Sequence, residues 1–113
     1  MDMNEKRIRT VVEQFAEEVK KIFGTSVQSI ILYGSCARGD FKKESDIDIM
    51  VLLDVPQEEI GMARKKIFDI TDCLDLSYDV VLTPVIQNYQ IYTQYLNVSG
   101  FYQNVQREGI RIA

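Results

Sequence analysis

The chain reads as an α/β layer fold, on three observations. An apolar stripe at helical spacing opens it, two apolar runs of strand length follow, and a second helical stripe then leads to a third apolar run. Ile8, Val11, Val12, Phe15, Val19, Ile22 and Phe23 share one helical face, with Lys20-Lys21 near its end and Gly24 as its stop. Val27 to Tyr33 is the first strand, and Gly34-Ser35 a sharp turn into a short helix. Ile47 to Leu53 is the second strand, and its near-continuous apolar content places it centrally. Pro56 opens a helix whose Ile60, Ala63, Ile67, Ile70 and Leu74 lie together. Leu76 to Leu82 is expected as the third strand, with Asp79 on it. Thr83-Pro84 reads as the cap and first turn of another helix, carrying Val85, Tyr89, Tyr92 and Leu96, and Phe101 to Gly109 as a last short one. No linker or repeat divides residues 1–113, so one domain is expected.

The chemistry concentrates between the first two strands. Gly34-Ser35 stands ten residues ahead of Asp46-Ile47-Asp48. Side chains alternate along a strand, so Asp46 and Asp48 project from one face, about 7 Å apart. Two such carboxylates repel unless a cation lies between them. Gly34 lets backbone approach phosphate closely, and Ser35 offers a hydroxyl and an amide at a helix start. Arg38 reads equally as a phosphate ligand or as the ion-pair partner of Asp40 or Glu44. Lys42 and Lys43 read as a solvated turn, and Cys36 as a small packing residue.

Other sites are excluded. Gly34 to Gly39 has P-loop spacing, but Asp40-Phe41 stands where Lys and then Ser or Thr are required. The chain has no His, which removes His-based triads and His-containing zinc sites. Cys36 and Cys73 make no paired motif, as in a reduced cytosolic protein.

Gly34-Ser35, ten intervening residues and Asp46-Ile47-Asp48 together resemble the signature of the minimal nucleotidyltransferases, the MNT group of the DNA polymerase beta-like superfamily. The resemblance runs from about Ile8 to Ile110. It implies a small mixed β-sheet flanked by helices, transfer of a nucleoside monophosphate from a triphosphate such as ATP, and two divalent ions, Mg2+ or alternatively Mn2+. It also implies a third carboxylate on a neighbouring strand, matched here by Asp79. Two metal ions about 4 Å apart clamp both ends of an in-line displacement. Asp46, Asp48 and Asp79 are thus the expected catalytic and metal-binding residues, and Gly34, Ser35 and Arg38 the nucleotide-binding ones.

At 113 residues and 46% hydrophobic, the chain buries a core but leaves no room for a separate acceptor domain, so a partner is expected to supply the acceptor pocket. A net charge of −4, with no basic run longer than Arg64-Lys65-Lys66, argues against a large nucleic-acid footprint. No signal peptide or membrane span is apparent from Met1 onward, and a cytoplasmic protein is expected. Beyond Asp79 only Arg107, Glu108 and Arg111 are charged, while Tyr89, Tyr92, Tyr95 and Tyr102 intersperse with Gln and Asn. Those tyrosines suit a protein partner or the rim of the domain's own core. Stand-alone MNT domains resemble the antitoxins of HEPN/MNT pairs, which implies AMP transfer to a tyrosine of a cognate HEPN ribonuclease and a hetero-oligomer with it. The alternatives are nucleotidyl transfer to a small hydroxylated molecule, as in antibiotic-modifying enzymes, and a non-catalytic antitoxin that inhibits by docking.

Overall fold

The computed structural model describes residues 4–113; the opening Met1 to Met3, part of the case against a signal peptide, lies outside them. Helix α1 spans Glu5–Phe23, and the Asn4 side chain caps it by accepting from the Arg7 amide at 2.9 Å. Ile8, Val11, Val12, Phe15, Ala16 and Val19 form its buried stripe. Ile22 departs from the expectation at 47% exposed, because it borders an open groove with Ile70 and Leu74 instead of packing beneath the helix. Strand β1 follows at Val27–Tyr33, the four-residue helix α2 at Ser35–Arg38, and β2 at Ile47–Leu53. After Pro56 and one short 3-10 turn, α3 runs from Ile60 to Tyr78. Strand β3 is Leu82–Asn88, α4 is Tyr89–Tyr95, α5 is Gly100–Glu108, and β4 is Ile110–Arg111.

The strands form one mixed sheet in the order β3-β2-β1-β4. β1 pairs antiparallel with β2 and with β4, whereas β2 and β3 run parallel, joined by α3. Ile47, Ile49, Val51 and Leu53 face the layer made by α1 and α3, where they join Phe15, Ile30, Leu32 and Ile67 in the main core. Met50 and Leu52 point the other way and pack with Tyr92 and Val105 from α4 and α5. Helices thus cover one face fully and the other only at the C-terminal end of β2. Its N-terminal end, where Asp46 and Asp48 lie, stays open. Among the described residues no helix is long and apolar enough to cross a membrane.

Two expected elements are displaced. Leu76 to Tyr78 are the last turn of α3, and Asp79 is its C-cap, in a left-handed conformation at φ 54°, ψ 53°. The third strand begins at Leu82 and takes up Thr83, Pro84 and Val85, which the sequence suggested were helical. Its N-terminal anchor is Asp75, whose carboxylate accepts from the Leu82 amide at 2.9 Å. The helix after it starts at Tyr89, with Asn88 as its cap. The two-residue β4 was not foreseen. Gly109 enables it, since a Cβ there would run into the Val105 carbonyl and Ile31.

Candidate active site

Asp46 and Asp48 flank Ile47 at the start of β2, and the alternation that buries Ile47 and Ile49 turns both carboxylates to the open face. Two neighbours on that face are fixed by strand pairing. Tyr33 of β1 lies opposite Asp48 on one side, and Thr83 of β3 on the other. Thr83 Oγ1 donates to Asp48 Oδ1 at 2.6 Å, and lies 3.3 Å from the Ile47 carbonyl. Burial, and secondarily the Asp48 charge, push the Tyr33 hydroxyl up to about 12, so it remains a neutral donor. Its ring meets Phe101 of α5 edge-on, with centroids 5.5 Å apart.

The Gly34 bend is built around Asp48. Gly34 sits at φ 75°, and an added Cβ would come within 2.5 Å of Asp48 Oδ2. The glycine therefore provides both the left-handed backbone and the space that the carboxylate fills. Its carbonyl then accepts from the Ala37 and Arg38 amides and starts α2 at Ser35. Cys36, buried beneath, places its Sγ 3.5 Å from the Asp46 carbonyl and so ties the bend to the second strand. Burial foremost, with the Asp48 charge, pushes the Cys36 thiol up, which keeps it protonated and suits the packing role expected of it.

Arg38 ends α2 and is exposed, with Nε 3.1 Å from Asp40 and Nη1 3.3 Å from Glu108 of α5. Asp40 was one of its two expected partners; Glu108, rather than Glu44, is the second. Lys43 borders a shallow pocket with Glu44, Ser45, Asp79, Val80 and Val81.

Asp79 requires correction. It was expected on a strand beside the pair, but it caps a helix, is exposed, and precedes β3 by three residues. The β3 residue beside Asp48 is Thr83, and the Ile47 amide bonds to the Val81 carbonyl next to Asp46. Among the described residues no three acidic, His or Cys side chains gather closely enough to hold a metal ion. What shares the open face is the pair of carboxylates Asp46 and Asp48. Magnesium keeps several waters and is commonly bound by one or two carboxylates plus substrate phosphates, so the hard oxygens of Asp46 and Asp48 fit an ion that arrives with a nucleotide.

A family model for the nucleotidyltransferase domain matches residues 12–108. The chain belongs to the nucleotidyltransferase domain family. Two proteins of Methanocaldococcus jannaschii are similar to it along most of its length. One, named "Putative protein adenylyltransferase MJ0604", is 33% identical over 107 residues, which cover 95% of this chain and 96% of that one. The other, named with the same words and MJ0141, is 30% identical over 87 residues, covering 77% and 86%. Among solved structures, a crystal structure of a toxin–antitoxin with AMP-PNP superposes with a TM-score of 0.56 at 22% identity, covering 89% of this chain and 72% of that one, and so shares the fold. In this nucleotidyltransferase the sequence expectations missed Thr83 and Tyr33. The signal for Tyr33 was its place one residue before the bend; Thr83 needed the parallel register, which the misplaced strand hid.

Proposed function

We propose that this nucleotidyltransferase transfers AMP from ATP to a hydroxyl of a protein partner, most closely fitting a tyrosine of a cognate HEPN-type ribonuclease that it neutralises in the cytoplasm. The observation that carries the reading is the carboxylate pair on the open face, with Asp48 seated over the Gly34 bend. The relatives named as protein adenylyltransferases support the protein acceptor, and the toxin–antitoxin neighbour supports the antitoxin role.

In this reading Asp46 and Asp48 hold Mg2+ or Mn2+, which when bound supplies charge neutralisation at the α-phosphate and the leaving pyrophosphate. Ser35 offers its amide and hydroxyl to the phosphates from the bend. Arg38 exchanges its exposed partners Asp40 and Glu108 for a phosphate oxygen, its fork suited to two oxygens at once. The acceptor oxygen bonds to the α-phosphorus as the bond to pyrophosphate breaks, and the hydroxyl proton leaves to the exposed Asp46 carboxylate or to water. Asp79 has no ligand role in this arrangement. Transfer is tested with labelled ATP, magnesium and the HEPN partner: Asp46→Asn with Asp48→Asn abolishes label on the partner, and label surviving the double change refutes the site.

A second reading is favoured by the failure of Asp79 to join the pair. In it the chain neutralises its partner by docking alone. Neutralisation retained by the double variant, with no label transferred by the unaltered protein, would establish it.

A further inference from the structure

We propose that the Thr83 hydroxyl is a positioning group for Asp48: together with the Gly34 bend it clamps the carboxylate in one rotamer, presented to the open face before any ligand arrives. The inference rests on the nucleotidyl-transfer reading but concerns a residue outside the pair itself. Asp48 Oδ1 accepts from Thr83 Oγ1 at 2.6 Å, within the range of a charge-assisted O–H···O− bond. Oδ2 occupies the space above Gly34 that a Cβ would take. A hydroxyl has one proton to give, and the Ile47 carbonyl at 3.3 Å is the poorer acceptor. The bond therefore belongs to the carboxylate.

Strand register makes the clamp rigid. Thr83 is directly paired with Asp48 across the parallel β2–β3 ladder, so neither backbone can shift without breaking ladder bonds on both sides. Pairing on the other side with Tyr33 leaves Asp48 in the middle of three strands. Asp46 has no such hydroxyl beside it: the residue next to it is Val81, just before β3 and 51% exposed. One carboxylate of the pair is thus preset and the other left adjustable. A preset ligand loses less rotamer freedom on binding, and groups that orient a metal ligand typically carry about ten- to a hundredfold of its affinity.

The experiment titrates the full chain with Mn2+ alone, without nucleotide, followed by electron paramagnetic resonance, alongside urea unfolding. Thr83→Val keeps the shape and removes the hydroxyl; it is expected to bind Mn2+ about tenfold or more weakly, while Thr83→Ser binds as the unaltered protein does. If Thr83→Val does not fold, Thr83→Ala against Thr83→Ser repeats the comparison with a pair differing by the oxygen. Equal Mn2+ affinity with and without the hydroxyl overturns the proposal. So does weakening by Thr83→Ser but not by Thr83→Val, which would mean packing by the methyl group. Absence of Mn2+ binding by the unaltered protein overturns the proposal that Asp48 is preset for a metal before a nucleotide arrives, and leaves the transfer reading to the labelled-ATP test.

Discussion

Gly34 concentrates three requirements at one position: a left-handed backbone, the start of α2, and room for Asp48 Oδ2. Gly34→Ala introduces a Cβ into that room and strains a φ of 75°, a cost of roughly 1–2 kcal/mol for the backbone alone. The carboxylate must then swing away. Transfer activity is expected to fall about a hundredfold, the usual result of displacing a reacting group by about 1 Å, with the unfolding midpoint lowered only modestly; unchanged kcat/KM would show that Asp48 does not need its observed rotamer. At this scale the pair and the bend were legible, because Gly-Ser and Asp-x-Asp are contiguous patterns whose geometry follows from one turn and one strand. Thr83 and Tyr33 were not. They become neighbours of Asp48 only through pairing between strands, which a local pattern does not encode. Of the tyrosines, Tyr92 is buried against Tyr102 and so belongs to the domain's own core, with ring centroids 4.9 Å apart, while Tyr89 and Tyr95 are exposed.

The elements that were misplaced share a cause. The end of α3 has no glycine or proline to mark it, and Asp79 takes the left-handed cap itself, a conformation that Asp and Asn tolerate better than most residues. Pro84 then suggested a helix start. In the structure it lies on β3, the edge strand, where a missing N–H costs no ladder bond on the solvent side. Helix and strand periods still located α1, β1, β2 and α5, whose apolar faces are long or sharply bounded. The β3–α4 junction depends on Asn88 instead. Buried, it accepts from the Ile91 amide at 2.9 Å and donates to the Val55 carbonyl at 2.6 Å. Asn88→Ala removes a helix cap and strands a carbonyl, and should cost about 1–3 kcal/mol. Urea unfolding checks this; a loss below a few tenths of a kcal/mol would mean that the junction is held by packing alone.

Across the whole molecule, the two faces of the sheet are covered unequally. α1 and α3 close one face along its length, whereas α4 and α5 stop short of the N-terminal end of β2 and leave the carboxylate pair accessible. Around the pair, the exposed Val81 stands beside Asp46, and Phe101, also exposed, packs on Tyr33. The net charge of −4 opposes docking of a polyanion but would be reduced locally by a divalent ion held by Asp46 and Asp48. Transfer of the nucleotidyl group at this open face, as proposed, is checked by supplying the unaltered protein and a candidate HEPN-type partner with ATP labelled either at the α- or at the γ-phosphate. Label on the partner from the α-position only, with pyrophosphate released, is the predicted result; label from the γ-position, or from neither, would contradict it.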